Sequence, residues 1–207
     1  NLIFLSIVFL LITQRHIQTQ VHDISHFFFT RNKQHNDLIG DFLFAGFIGM
    51  KISNYRAIHQ KHHKYNGGDN DPEYFSYNDV KNYGGYWQFI FSYVIGAEAI
   101  KLIKKYYFPS NKNKTVLKIR LKSVFHVLFC QFLLLMLFYT YEITFFYLIW
   151  VYLAVTLNPL LSRLRFLVEH PSDQNITRTT TSTFIEKVFF APHNFNYHFE
   201  HHWFPSV

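Results

Sequence analysis

Residues 123–162 read SVFHVLFCQFLLLMLFYTYEITFFYLIWVYLAVTLNPLLS, an apolar run without Lys, Arg or Asp in which Glu142 is the single charged side chain. A helix rises about 1.5 Å per residue, so this run reaches about 60 Å and can cross a hydrocarbon layer of about 30 Å twice. The sequence therefore predicts a transmembrane helical hairpin, with Thr140, Tyr141 and Glu142 at its polar tip. The alternative is a pair of buried helices in a soluble protein, but such helices usually show a polar face.

Basic residues flank the predicted hairpin. Eight Lys and Arg lie between residues 101 and 122 with no acid among them, and Arg163 and Arg165 follow the apolar run. The positive-inside rule then places both ends of the hairpin in the cytoplasm. Topology and lipid headgroups account for the net charge of +7, so no nucleic-acid partner is expected.

Three shorter apolar segments complete the pattern. Residues 1–14 are uncharged and predict the end of another transmembrane helix, which stops at Arg15 and whose beginning is missing. Residues 38–50 and 87–103 are too short for a crossing and predict interfacial or re-entrant helices. We therefore expect one all-α domain over residues 1–207, a fragment of an integral-membrane helical bundle with a cytoplasmic helical cap.

Histidine is the most informative residue type in this chain. Eight of the 13 histidines fall in three short motifs, HDISH at 22–26, HQKHH at 59–63 and HFEHH at 198–202. Positions i, i+3 and i+4 share one face of a helix, so each motif directs its imidazoles toward one point. Clustered imidazoles without a ligand would leave ring nitrogens without partners. The motifs therefore predict metal binding rather than ordinary surface or core histidines.

The number of histidines indicates two ions. Eight neutral imidazoles exceed the needs of one ion, whereas two ions with four or five nitrogens each fit. Imidazole suits iron, zinc, copper and nickel alike, so this reasoning leaves the metal open. Haem takes one axial histidine per face, and the single Cys130 excludes a CxxC zinc site and a cysteine-ligated iron–sulfur cluster. The acids predicted to orient imidazole N–H groups are Asp23, Glu169 and Glu200.

These motifs resemble the three histidine boxes of the integral-membrane fatty acid desaturase superfamily, in the forms HDISH, HQKHH and NYHFEHHWFP. The similarity runs from about Val21 to the C-terminus and includes NDLIG at 36–40 and DPE at 71–73. The resemblance implies two iron ions, held by the box histidines and one histidine outside them. The implied ligands are His22, His26, His59, His62, His63, His170, His198, His201 and His202. His193 is the alternative to His170 and is expected, with Asn194, near the site.

The resemblance also implies a reaction class, the O2-dependent oxidation of an unactivated C–H bond in a lipid. Desaturation of a fatty acyl chain is the first interpretation, and a hydroxylase or ketolase acting on a carotenoid, alkane or other lipid is the alternative. The chain has no GxGxxG motif and no recognisable haem domain, so we expect no organic cofactor and an external ferredoxin, rubredoxin or cytochrome as electron donor. A non-catalytic metal transporter or sensor would need polar groups in its spans, and the hairpin offers only His126, Gln131 and Glu142.

Overall fold

A computed structural model describes residues 2–68, 70–107, 114–170 and 177–205, with side chains described except at 102–103, 105–107 and 114–120. The described residues form α-helices and two short 3-10 turns, Ala45–Ile48 and Pro192–Asn194, with no strand among them. The predicted all-α class is therefore confirmed. The helices are α1 (Leu2–Ser25), α2 (Lys33–Leu43), α3 (Ile52–Tyr65), α4 (Tyr77–Asn82), α5 (Tyr86–Val94), α6 (Ala97–Tyr107), α7 (Lys114–Thr140), α8 (Thr144–Val155), α9 (Leu157–Glu169), α10 (Phe184–Phe189) and α11 (His198–Trp203).

The apolar hairpin forms as predicted. Helix α7 ends at Thr140, residues 141–143 reverse the chain, and α8 begins at Thr144. Helices α8 and α9 follow each other with a break at Thr156 and together return along α7. Three segments of the described chain are long and apolar enough to cross a membrane, namely Leu2–Ser25, Leu121–Thr140 and Thr144–Glu169. The membrane helical bundle is thus confirmed.

Helix α1 corrects one prediction. The helix was expected to stop at Arg15, where the charge would leave the apolar layer, but it continues to Ser25. Arg15 is only 3% exposed, because its guanidinium finds hydrogen-bond acceptors inside the protein. A charge that is satisfied internally does not need to reach water, so it does not end the helix.

Residues 33–51, called the re-entrant segment below after the prediction of an interfacial or re-entrant helix over residues 38–50, contain none of the helices that are long and apolar enough to cross a membrane. This segment contains α2 and the 3-10 turn Ala45–Ile48, whose irregular backbone packs on the hairpin. Gln131 Nε2 donates to the carbonyls of Gly46 and Phe47 at 2.9 Å each, and Trp150 Nε1 donates to Phe47 at 2.8 Å. These bonds replace the water that such carbonyls would lack in lipid. His126 Nε2 likewise lies 3.1 Å from the carbonyl of Asp41 in α2, so three side chains of the hairpin hydrogen-bond to this backbone.

Two apolar cores hold the helices that carry the histidines. One core packs α1, the re-entrant segment, the start of α3 and Trp150 of α8 together, with members Val21, Ile24, Ala45, Ile48, Ile52 and Trp150. The other packs α5 on α9, with members Phe75, Val80, Phe89, Tyr93, Leu160, Phe166 and Leu167. Burial of these side chains fixes α1 against α3 and anchors α9 beside them.

Candidate metal centre

The first histidine motif lies where α1 ends. His22 occupies the last turn of α1, and His26 follows immediately after the helix. Two side chains from later helices hold this end in place. Asn36 Nδ2 donates to a terminal carbonyl of α1 at 2.8 Å, and Arg56 Nε donates to another at 2.7 Å. The orphan carbonyls of the helix end are thereby satisfied, and His22 and His26 are fixed relative to α3.

The second motif lies on α3, and the loop after α3 folds back over it. His62 Nδ1 lies 2.7 Å from Asp71 Oδ2, and His59 Nδ1 lies 3.2 Å from Glu73 Oε2. Asp71 also accepts the backbone N–H groups of Gly67 and Glu73 at 2.8 Å each, which fixes the loop. Both carboxylates therefore meet the Nδ1 side of an imidazole and leave its Nε2 side free to face inward.

Both carboxylates are ionised at neutral pH and can only accept hydrogen bonds. Burial alone would raise the pKa of Glu73, but the hydrogen bond from His59 and the nearby Arg163 guanidinium lower it to about 2. Burial also opposes ionisation of Asp71, yet the hydrogen bonds from His62 and from backbone N–H groups lower its pKa. His59 and His62 consequently carry their proton on Nδ1, and their Nε2 atoms have free lone pairs.

The third motif lies on α11 and meets His170 at the end of α9. The ring of His170 stacks on Phe166 at 4.3 Å between centroids, one turn earlier in the chain. Asn196 fixes the segment before α11, because its Nδ2 donates to the carbonyl of Thr180 at 2.8 Å and its own carbonyl accepts from Thr180 N–H at 3.0 Å. His198 Nε2 and His170 Nε2 are then 2.8 Å apart.

The structure brings the nine histidines named from the sequence together in two groups, and the ligand atoms within each group lie within 4.8 Å of one another. The first group is His22, His26, His59, His63 and His201, and the second group is His62, His170, His198 and His202. The second and third motifs therefore each supply both groups. His193, the alternative to His170, lies in neither group, and its Nε2 is 3.2 Å from His16 Nδ1. That these nine residues are metal ligands stays a prediction.

Hydrogen bonding alone does not account for the first group. His22 Nδ1 faces Asp23 at 3.0 Å and His59 Nδ1 faces Glu73, so both Nε2 atoms are bare acceptors. His201 and His63 would then have to donate from Nε2, to His22 at 2.9 Å and to His59 at 3.0 Å. The Nε2 atoms of His201 and His63 lie only 2.8 Å apart, which is too close for two N–H groups that cannot accept a hydrogen bond from each other. An ion that accepts all four lone pairs removes this conflict.

The distances in the second group fit the same interpretation. The Nε2 of His198 lies 2.8 Å from that of His170 and 3.1 Å from that of His202. Imidazole nitrogens bind a divalent ion at about 2.1 Å, and two such ligands at right angles are about 3 Å apart. The Nδ1 atoms of all three residues are buried without a hydrogen-bond partner. Each ring can therefore carry its single proton on Nδ1 and leave the lone pair of Nε2 for an ion. The residues of both groups therefore fit a bound transition metal.

Burial keeps His26, His63, His170 and His201 neutral, which is the form of imidazole that binds metal. Loss of solvation, together with the neighbouring imidazoles, lowers the pKa of His63 and of His201 to about 2. Burial, the neighbouring His59 and the positive charge of Arg56 lower the pKa of His26 to about 4. Burial and the proximity of His62 and Arg165 lower the pKa of His170 to about 3.

The acids and neighbours predicted beside the site differ in what they contact. Asp23 reaches His22, and Glu169 Oε2 lies 3.7 Å from His198 Nδ1. Glu200 instead accepts a hydrogen bond from Thr179 Oγ1, and Asn194 Oδ1 accepts one from Lys187 Nζ at 3.4 Å. A cavity of about 210 Å³ lies beside both groups, and its walls include His193, Asn194 and Glu200 together with His22, His198 and His201.

Three residues that support the site were not identified from the sequence, namely the acids Asp71 and Glu73 and the cation Arg15. Asp71 and Glu73 follow their histidine partners by 9 and 14 residues, in the acidic run DNDPE. That run, placed shortly after the second motif, was the signal that could have identified them. Arg15 gave no such signal, because four of its five acceptors come from parts of the chain more than 140 residues away.

Comparison with known families agrees with the geometry. The model of one family, described as fatty acid desaturase, matches residues 2–207. No curated protein and no solved structure gives a significant match to the chain. The family match covers the three apolar helices and all of the histidines in both groups. The chain therefore belongs to the fatty acid desaturase family and is a membrane oxidoreductase.

Proposed function

We propose that this protein is an O2-dependent di-iron desaturase that introduces a C=C bond into a fatty acyl chain, with one iron ion in each histidine group. The observation that carries the proposal is the convergence of imidazole nitrogens at 2.8–3.1 Å in two adjacent groups. Their arrangement conflicts with hydrogen bonding alone and fits two ions. Family membership supplies the reaction class.

The overall reaction sets what the site needs. Bound iron supplies the oxidation of an unactivated C–H bond by O2. Two hydrogens leave adjacent carbons, and with two electrons and two protons from outside they reduce O2 to two waters. The chain's own residues hold the ions, orient the imidazoles and exclude bulk water. Asp23, Asp71 and Glu73 keep the Nδ1 protons of His22, His62 and His59 in place.

The topology supports a site on the cytoplasmic face. His170 lies at the open end of the hairpin, opposite the tip at residues 141–143, and it meets the histidines of α3 and α11 there. The lysines that flank the hairpin, including the exposed Lys101, Lys104 and Lys122, favour the cytoplasm for this end. An external ferredoxin, rubredoxin or cytochrome would deliver electrons from that side.

An apolar substrate fits the surroundings of the site. The cavity beside both groups has aromatic walls formed by Phe28, Phe195, Tyr197 and Phe204, against which an acyl chain can pack. The hydrogen bonds of His126 and Gln131 to the re-entrant segment also argue against ion transport. They engage two of the polar side chains in the hairpin that a transport path would use.

The test is expression of the gene in a host of known lipid profile, followed by mass spectrometry of lipids and carotenoids. New unsaturation supports the proposal. New oxygenated products would replace it with a hydroxylase or ketolase, and unchanged lipids with stoichiometric bound metal would favour a transporter or sensor. His62→Ala should abolish iron loading and turnover together, whereas His35→Ala, at an exposed histidine outside both groups, should leave them unchanged. Full activity of His62→Ala would refute the ligand assignment.

A further inference from the structure

Arg15 is a buried cation at the midpoint of α1, and all five hydrogen bonds of its guanidinium go to neutral acceptors. Its Nε donates to the carbonyl of Phe189 at 2.8 Å and its Nη2 to the carbonyl of Phe190 at 3.2 Å. Its Nη1 donates to Gln18 Oε1 at 2.7 Å, Asn158 Oδ1 at 3.1 Å and Ser162 Oγ at 2.7 Å. A buried charge is costly unless its N–H groups are hydrogen-bonded in good geometry. The contacts of Arg15 therefore fix the positions of the groups that accept its hydrogen bonds.

The acceptors of Arg15 belong to segments that lead directly to the histidines. The Phe189 and Phe190 carbonyls end α10, eight residues before His198. The Asn158 and Ser162 acceptors lie on α9, whose end carries His170. Arg15 itself precedes His22 by seven residues on the same face of α1, about 10 Å along the helix axis.

The two histidine groups depend unequally on these segments. In the first group, two histidines lie at the end of α1 or directly after it, two lie on α3, and only His201 lies on α11. In the second group only His62 comes from α3. Of its other three histidines, His170 ends α9, which Arg15 ties to α1. His198 and His202 lie on α11, which follows α10, and Arg15 binds the carbonyls at the end of α10.

We infer that Arg15 is a positioning residue that sets the register of α9 and α10 against α1 and thereby assembles the second group. The inference rests on the proposed function only in taking the two groups as metal sites. The planar guanidinium of arginine is needed, because one lysine ammonium cannot donate hydrogen bonds to two α10 carbonyls and to the α9 side chains at the same time.

The test compares Arg15→Met with Gln14→Met in the purified full chain in detergent. Gln14 is a matched control, because it is also fully buried on α1, but its Nε2 donates to the Trp150 carbonyl on α8 at 2.7 Å. Each protein is titrated with Fe²⁺ under anaerobic conditions, and bound iron per chain is measured by elemental analysis beside the thermal midpoint. The wild type and Gln14→Met should bind two equivalents. Arg15→Met should keep the first equivalent and bind the second at least tenfold more weakly, and Arg15→Lys should recover part of that loss.

A milder variant covers the case in which Arg15→Met does not fold. Ser162→Ala removes one α9 acceptor and keeps the guanidinium, so it should weaken only the second equivalent, by several-fold. Wild-type affinity for both equivalents in Arg15→Met or in Ser162→Ala would overturn the inference, as would a loss spread equally over both. A wild type that binds two equivalents but forms no unsaturated product would overturn the proposed function and leave the role of Arg15 intact. A wild type that binds no iron would overturn both.

Discussion

The first and second histidine groups are neighbours, yet they are built differently. The first has five histidines, and the Nδ1 atoms of His22 and His59 each face a carboxylate, at 3.0 and 3.2 Å. The second has four, and among the described residues only His62 has a carboxylate within hydrogen-bond distance, at 2.7 Å. The Nδ1 atoms of the other three are buried without a hydrogen-bond partner, whereas in the first group this holds for His63 alone.

On the proposal that each group holds one ion, this difference makes the two sites unequal. An ion in the first group would be held by five imidazoles, whereas an ion in the second group would be held by four. Partners on the far side of an imidazole orient it and strengthen metal binding. We therefore expect the second group to bind its ion more weakly than the first.

Adjacent histidines on α11 offer the sharpest test of this asymmetry. His201 belongs to the first group and His202 to the second, so His201→Ala leaves four ligands and His202→Ala leaves three. Both variants should lose detectable desaturation, because each alters one ion of the pair. His202→Ala should also lose one iron per chain, whereas His201→Ala should keep two with weaker binding. Elemental analysis beside lipid mass spectrometry measures both, and equal iron loss in the two variants would contradict the asymmetry.

The two carboxylates after α3 allow a milder comparison. Asp71→Asn removes the charge that holds His62, and Glu73→Gln does the same for His59. Loss of such a partner typically lowers metal affinity about 10- to 100-fold. We expect Asp71→Asn to weaken the second equivalent by this amount and Glu73→Gln to weaken the first by less, because its contact is longer. Iron titration measures both effects.

Asp79→Asn is the control for these substitutions, since Asp79 caps α4 by accepting from Ser76. It should leave both equivalents unchanged. An Asp71→Asn variant that binds two equivalents with wild-type affinity would show that the second group does not need this carboxylate.

The sequence predicts the hairpin and the histidine motifs because each depends on local pattern. A run without charge has few alternatives to a membrane span, and i, i+3, i+4 spacing on a helix needs no tertiary contact to align side chains. Arg15 lies beyond such reasoning, because its fate depends on carbonyls 174 and 175 residues away. By local pattern an arginine ends a span, and only the fold shows that its charge is satisfied inside.

The partition of the histidines between two groups was equally hidden from the sequence. His62 and His63 are neighbours in one motif, but they enter different groups because adjacent residues on a helix point about 100° apart. The motif predicts that both bind metal, and only the packing of α9 and α11 against α3 determines which group each one joins.

The re-entrant segment provides a contrast. Substitutions in it should lower the stability of the fold without changing the relative iron affinity of the two histidine groups. A Cβ at Gly46 would lie 2.3 Å from Cys130 Sγ and 2.6 Å from Cys130 Cβ. Gly46→Ala should therefore lower the free energy of unfolding by about 1–3 kcal/mol through overpacking. Both iron equivalents should remain, with their relative affinity unchanged. Thermal unfolding in detergent measures the loss, and Cys130→Ala should restore part of it.

Gly49→Ala is the matched control, because its Cβ would meet nothing within 4 Å and only its φ of 76° opposes the change. It should cost about 1 kcal/mol. If Gly46→Ala were no more destabilising than Gly49→Ala, close packing of the re-entrant segment on α7 would be refuted.

Glu200 should show the smallest effect, although it lies inside the third motif between histidines of both groups. Its carboxylate accepts from Thr179 Oγ1, and the residue is exposed. Glu200→Gln keeps an oxygen for that hydrogen bond, so affinity for either iron equivalent should change by less than about threefold, as for other surface substitutions. Asp71 lies 9 residues from His62 and is expected to matter far more. A tenfold loss in Glu200→Gln would mean that position within the motif, rather than contact with an imidazole, determines which acids support the ions.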